Sequence, residues 1–456
     1  KMNTAKDTRL RTESIPKLMF QLAVPSVVAQ LINVLYNIVD RIYIGRIPEV
    51  GHLALTGVGV TFPILTLISA FSSFVGAGGA PLAAISLGKG EHKRAEQILG
   101  NSFSMLLIFS VALTMIFQLS KEPLLYMFGA SDNTIGYAVD YITIYLWGTI
   151  FVQIALGLNL FITSQGQART AMLSVLIGAV INIILDPICI FVLDMGVQGA
   201  AIATVFSQAV SAAWVLHFLY SKKSSIRIRP CYMKLSGKIV KSISMLGVSP
   251  FIMSATESAI SIVLNHGLQT YGGDLYVGSM TILQSVMQLL SIPIGGFTQG
   301  VQPIISYNFG AEKFDRVKKT AKLLISFTFL LSFSFTLLTL LFPGAFGALF
   351  TSQTELLDLV KKVMPIYMFG MLIFGLQNGC QSIFLGLGQA KISIFLALLR
   401  KVFLLIPLAI ILPRFFGVMG IYYSEPIADI TSATTAIILF LVSIRKILSA
   451  DALKKL

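Results

Sequence analysis

A chain of 456 residues that is 55% hydrophobic and 12% charged, with a mean hydropathy of +0.82, is far more apolar than a water-soluble domain, which carries about 45–50% apolar and 25% charged residues. The net charge of +14 does not argue for a nucleic-acid partner, because the cations gather in the short segments between apolar runs. Those runs exceed twenty residues again and again, whereas a membrane β-barrel shows segments of about ten residues alternating in polarity; the fold class is an all-α polytopic membrane protein.

The first seventeen residues are polar and basic (Lys6, Arg9, Arg11, Lys17), and the apolar run from Leu18 to Ile44 exceeds the 7–15 residues or so of a signal-peptide core, so no cleaved signal is expected. Near the end of that run Gln30, Asn33, Asn37 and Asp40 recur at helical spacing, which predicts one polar stripe with Tyr36 beside it. An ionisable group inside a spanning helix costs about 2.5–3.5 kcal/mol on insertion scales, so it is normally turned toward a cavity or a partner. The competing reading puts Asp40 at headgroup level, paired with Arg41.

Twelve spans are predicted, at 15–44, 52–87, 95–118, 136–164, 169–193, 197–220, 238–269, 276–309, 317–341, 357–387, 391–412 and 418–447. Of the 34 Lys and Arg residues, 26 fall on the side of the two termini and six on the other, with Arg400 and Lys401 inside a span. By the positive-inside rule both termini are expected in the cytoplasm, the protein lying in the cell inner membrane. The odd number of cysteines (Cys189, Cys231, Cys380) and their distance from the four histidines imply neither a disulfide framework nor a zinc site.

The chain also repeats itself. Shifted by 222 residues, Gly51 falls on Gly273, Pro81 on Pro303, Gly88 on Gly310 and Arg94 on Arg316, while Ile144-Tyr-Leu-Trp-Gly148 falls on Ile366-Tyr-Met-Phe-Gly370 and Gly166-Gln-Ala-Arg169 on Gly388-Gln-Ala-Lys391. With one deletion, Gly196-Val-Gln-Gly199 falls on Gly417-Val-Met-Gly420. A repeat of six spans is a parallel repeat about an axis along the membrane normal, and it predicts two six-helix lobes, 1–220 and 238–456, joined by a cytoplasmic connector at 221–237. Transporters built this way bind substrate between the repeats near the midplane.

Within the fifth span Asn182 and Asp186 lie four apart on one helix face, and Pro187 withdraws the donor that would bond the carbonyl of Ile183. A carboxylate, an amide oxygen and a freed carbonyl together suit a hard cation; the competing reading has Asp186 merely holding the kink. Asn159, Gln165 and Gln167 either line the same lobe or join helices. Glu257 meets either a cationic substrate or Arg400, which is set about nine residues into its own span. Glu425 and Asp429 attract cations at the mouth of a cleft or form the solvated end of a helix, the second being the expectation. The 16 Met and 32 Phe suit an adaptable pocket and lipid equally.

Asn37-Ile-Val-Asp40 with Gly45, Pro81-Leu-Ala with Gly88, Gly166-Gln-Ala-Arg169, Asn182-Ile-Ile-Leu-Asp186-Pro187, and Gln302-Pro303 with Asn308-Phe-Gly-Ala311 resemble, in order and spacing, the multidrug and toxic compound extrusion family over essentially the whole chain, most closely its bacterial MepA-like branch. The resemblance implies a V-shaped cleft between the lobes and export of small cationic or amphipathic compounds by a monomer, driven by inward proton or sodium flux and needing no cofactor. It also implies that Asp40, Asn182, Asp186 and Thr204 form the proton site, or a sodium site, of the N-terminal lobe. Asn33, Tyr36, Asn37, Gln165, Glu257, Gln377 and Arg400 are the candidates for substrate or cavity contacts. Glu257 matches an acid of the NorM-like branch, but where that branch has an aspartate in the tenth helix this chain reads Phe374-Gly-Leu-Gln377-Asn378, which removes a ligand from any sodium site in the second lobe.

The leading reading is therefore a secondary antiporter, since no phosphate-cradling glycine motif ending in Lys-Ser or Lys-Thr is present. A lipid-linked precursor flippase of the wider superfamily would line its cavity with several arginines, and only Arg400 qualifies. An intramembrane enzyme would need catalytic groups converging at one depth, and the histidines are scattered. A channel would bring a pore-loop signature, and none is seen.

Overall fold

The computed structural model describes residues 9–456; the first eight residues, with Lys6 of the basic N-terminal run, lie outside the described residues. Inside a bilayer every backbone N–H and C=O has to be bonded within the chain, and a helix does this locally, so long apolar runs become helices. Among the described residues eleven unbroken helices are long and apolar enough to cross a membrane: α1 (Ile15–Gly45), α2 (Phe62–Gly88), α3 (His92–Met127), α5 (Ala168–Val192), α6 (Val197–Tyr220), α7 (Gly237–Tyr271), α8 (Asp274–Gly310), α9 (Phe314–Leu341), α10 (Thr354–Gly386), α11 (Ala390–Phe416) and α12 (Met419–Ile447). The twelfth, α4, is a bent pair, Ile135–Trp147 and Thr149–Thr163, with 61° between its parts.

Two spans depart from the expected continuous helices. The run predicted at 52–87 is a short helix, Gly51–Val60, followed by α2, with the buried Thr61 between them donating its hydroxyl to the Val58 carbonyl at 2.6 Å. In α4 the break falls at Gly148, where a Cβ would lie 2.7 Å from the Val205 side chain of α6. The matching glycine of the second lobe, Gly370, opens the same kind of irregularity, a 3-10 turn over Phe369–Ile373 in α10, and a Cβ there would lie 2.9 Å from the Pro426 Cα of α12. Both fourth helices thus give way where they press on the sixth helix of their own lobe.

The internal repeat governs the contact between lobes as well. Across the interface α2 packs on α7 and α1 on α8, each pair being the image of the other. At the terminus-side end a Cβ on Gly88 would sit 2.0 Å from the Tyr307 carbonyl oxygen, and one on Gly310 would sit 2.0 Å from the Ile85 carbonyl oxygen. Since 85 and 307, like 88 and 310, differ by the repeat offset, this is one contact made twice about a pseudo-twofold axis, as a self-complementary interface requires. The N-terminal segment is clamped on the same side, with the Leu10 carbonyl accepting from Asn308 and Arg316, each at 3.0 Å.

Close approaches between α2 and α7 run from Phe71, whose ring stands edge-on to Phe251 at 5.0 Å, toward Gly88. Farther from the termini, α1 and α7 carry exposed polar side chains, Asn37 and Glu257. Lipid would not solvate them, so the two helices border a cleft that opens away from the termini.

Gly310→Val should spread the terminus-side ends of the lobes, because backbone rather than a movable side chain faces the new methyl groups. Spin labels at Lys93 and Lys318, one in each lobe and both exposed, should report a longer mean distance than in the parent protein; an unchanged distance would mean the glycine contact does not hold the closed side together.

Candidate functional site

In the first lobe α1, α5 and α6 bring together most of the residues singled out above. Asp186 and Asn182 are buried in α5, and Thr204 is buried on α6. The Asn182 amide donates to the Thr204 hydroxyl at 3.3 Å. Across from them, the Asp40 carboxyl on α1 lies within interaction distance of the Asp186 carboxyl. Arg41 does not pair with Asp40; its guanidinium lies over the Phe62 ring, 4.4 Å from the centroid.

Four buried oxygens here have no hydrogen-bond donor among the described residues: Asp40 Oδ1, Asn182 Oδ1 and both oxygens of Asp186. Ionised carboxylates left so are costly in a low-dielectric interior, and a proton or a small hard cation removes the cost. The donor set, all oxygen, fits sodium and proton alike. Asn33 and Tyr36 line a cavity of about 40 Å³ next to Asn182 and Thr204, together with Ser174 and Gln208.

The polar stripe on α1 therefore splits. Asn33, Tyr36 and Asp40 turn into the first lobe, Asn37 is exposed, and Gln30 donates to Gln299 of α8 in the other lobe at 3.1 Å. Two contributors were not foreseen, Gln208 facing Tyr36 and Tyr141 beside Thr204. A tyrosine or an amide inside an apolar run carries no sequence signal of its own.

Between the lobes lies a cavity of about 380 Å³, lined from α2, α4, α7, α8 and α10. Its polar groups are neutral, notably Gln299, Gln302, Asn378 and Gln381. Gln377 is buried without lining this cavity, and the next residue, Asn378, takes the place expected of it. Gln165 lies elsewhere: its side-chain oxygen accepts from the Ser224 hydroxyl at 3.0 Å and the Ser225 amide at 2.8 Å, tying the connector to the first lobe. Asn159 joins α4 to α5 through the Ala171 carbonyl and Ser174.

The second lobe corrects two expectations. Glu425 and Asp429 are not the solvated end of a helix but buried in α12, where Arg400 of α11 donates to Glu425 at 3.2 Å and to Asp429 at 3.0 Å. With Arg400 so engaged, the partner of Glu257 is its neighbour, Lys401. Both cations sit in a π-helical stretch, Leu399–Leu405, just ahead of Pro407, which cannot donate to the carbonyl four residues back. Successive side chains there reach different helices, Arg400 going to α12 and Lys401 to α7.

The MatE family profile matches residues 25–188 and 250–411, one copy in each lobe. The chain belongs to the MatE family. Among its relatives are Multidrug export protein MepA of Staphylococcus haemolyticus, 27% identical over 96% of both chains, and that of Staphylococcus aureus strain NCTC 8325, 25% identical over 93% of both. Of solved structures, one of MATE in the bent conformation superposes with a TM-score of 0.89 at 23% identity, over 99% of this chain and 98% of the other. An outward-facing multidrug resistance MATE family transporter gives 0.87 at 22% identity, over 98% and 99%. At that identity the likeness speaks for the fold. MatE proteins are transporters, and the intramembrane-enzyme reading is set aside.

In this MatE chain Arg400 is the only positive side chain bonded to the Glu425–Asp429 pair among the described residues. Arg400→Met strands two buried carboxylates, and breaking a buried ion pair from one side costs about 3–5 kcal/mol. Thermal unfolding in detergent should show the loss, and Glu425→Gln combined with Asp429→Asn in the same chain should restore a good part of it.

Proposed function

We propose that this MatE protein is a secondary multidrug efflux antiporter of the cell membrane, acting as a single chain and exporting small cationic or amphipathic compounds in exchange for protons or sodium ions. The observation that carries the reading is the Asp40–Asp186 pair, two carboxyls facing each other in the first lobe with three of their four oxygens buried and without a donor. A pair of that kind is stable when it holds a cation and unstable when it does not, so its occupancy biases the packing of α1 against α5. Opened to the side away from the termini, the pair takes up the ion and α1 repacks so that bound drug is disfavoured; opened to the other side, it loses the ion and the drug-binding shape returns. The relatives named multidrug export proteins support the export direction. Each pH unit supplies about 1.4 kcal/mol per proton and each 100 mV about 2.3 kcal/mol per charge, enough for useful accumulation from one or two ions.

The flippase reading loses support, since no arginine lines the central cavity among the described residues and Arg400 is spent on Glu425 and Asp429. The orientation that goes with export has both termini in the cytoplasm, as the cation asymmetry favours.

Asp40→Asn and Asp186→Asn should each remain folded and still bind substrate, yet release no fluorescent cation from vesicles when a pH or sodium gradient is imposed. Applying the two gradients separately to the parent protein identifies the driving ion, and parental export rates from Asp40→Asn would remove this residue from the mechanism. For orientation, the native Cys231 is free and exposed on the connector. It should resist an impermeant thiol reagent in intact cells, while a cysteine introduced by Asp132→Cys in a Cys231→Ser background reacts; the opposite pattern would invert the topology.

A further inference from the structure

The ion pair between Glu257 and Lys401 is lopsided. The lysine side chain is 4% exposed and the glutamate side chain 64%. Lys401 also donates to the Met253 carbonyl at 2.8 Å, and Met253 and Ser254, one turn before Glu257 on α7, line the central cavity. The exposed carboxylate thus lies one turn beyond the cavity-lining Met253 and Ser254, with its counter-ion buried behind it.

The charges around this pair do not balance. Three carboxylates, Glu257, Glu425 and Asp429, meet two cations, Arg400 and Lys401. Asp429 Oδ2 is buried and receives no donor among the described residues, and Tyr367 is a neutral titratable side chain facing the same acids. Counted as ionised, the three carboxylates outnumber the two cations by one, a shortfall that falls on the buried Glu425–Asp429 pair and that a proton or the Lys401 ammonium can make good, while the exposed carboxylate of the cluster is Glu257. A lysine drawn off Glu257 keeps its bond to the Met253 carbonyl and remains beside Glu425 and Asp429, whose single arginine leaves them short of positive charge.

We propose that Lys401 is a specificity-determining residue: it occupies the cleft carboxylate Glu257 and yields it to a monovalent amphipathic cation, the Glu425–Asp429 pair taking over its charge. The inference rests on the cleft being the drug site of the antiporter reading and adds what selects the drug. A small hydrated cation gains too little from the apolar lining to displace a tethered ammonium. A compound with a charge-diffuse centre and a large apolar body gains both the carboxylate and the buried area. A neutral compound of the same shape never engages the pair.

Binding to the full chain in lipid nanodiscs decides the matter, with tetraphenylphosphonium as the cation and triphenylphosphine oxide as its neutral counterpart. Lys401→Met frees Glu257 without adding charge and should tighten tetraphenylphosphonium binding by about tenfold or more, the scale of coupling between close charge pairs, with the neutral compound changed less than about twofold. Glu257→Gln added to Lys401→Met should erase the gain, as a double-mutant cycle requires for a direct pair. Should Lys401→Met not fold, Lys401→Gln carries the same test. Unchanged or weaker cation binding, an equal gain for the neutral compound, or a gain that survives Glu257→Gln would each overturn the assignment. Vesicle export separates it from the broader reading: a parent protein that releases nothing under any gradient counts against antiport, while the binding gain in Lys401→Met stands or falls by itself.

Discussion

Carrying a carboxylate from water into a helical bundle costs several kcal/mol unless a proton, a cation or a set of donors goes with it. The two lobes meet that constraint in opposite ways. In the first, Asp40 and Asp186 face each other with no arginine or lysine bonded to either among the described residues, which leaves the pair to be neutralised by a proton or a bound cation. In the second, Arg400 and Lys401 are built in, bonded to Glu425, Asp429 and Glu257. A site that must borrow its counter-charge changes state when that charge leaves, whereas one that owns it is held in place. The repeat has thus become chemically asymmetric while keeping its backbone symmetry.

That symmetry is what allows a local change to become a movement of lobes. Gly88 and Gly310 bring backbone against backbone at two equivalent points, leaving no long side chain whose rotamer could absorb a shift. The α1–α8 and α2–α7 contacts belong to the same pseudo-twofold interface. Because α1 carries Asp40 and also packs on α8, repacking it against α5 necessarily alters the interface with the other lobe. A discrete switch of this kind couples the ion site to the cleft through one helix and does not require a relay of residues across the molecule.

Much of this was legible in the sequence because it rests on residues that are conspicuous in apolar runs. Asp40 and Asp186 stood out for their charge, and the repeat for glycines at one offset, which then reappeared as matched breaks at Gly148 and Gly370. The second lobe was harder to read for a geometric reason. Consecutive residues on a helix point about 100° apart, so sequence alone could not say which of Arg400 and Lys401 would face Glu257; the packing of α11 between α7 and α12 turns Lys401 to Glu257 and Arg400 to Glu425 and Asp429. Glu425 and Asp429 looked like a solvated helix end because they come early in the last span, yet α12 runs unbroken from Met419 through Pro426, and both are buried within it. Gln165 and Gln377 failed as cavity residues because an amide bonds equally well to a connector, a neighbouring helix or a ligand, and only tertiary position chooses among these.

The neutral lining of the central cavity follows from the same division. Amides such as Gln299, Gln302, Asn378 and Gln381 give and accept hydrogen bonds in several orientations, which tolerates varied ligands, while a fixed charge there would select strongly for one class. On the assignment proposed above, charge recognition falls instead to Glu257, one turn beyond the cavity-lining Met253 and Ser254, where the Lys401 ammonium is bonded to it. With Glu257 paired, no bare carboxylate of that pair is closed into the cleft, and on the cycle proposed above the return of the empty protein escapes the desolvation cost that one would impose. On the same assignment, the lysine that would compete with substrate is also what would make an empty cleft tolerable.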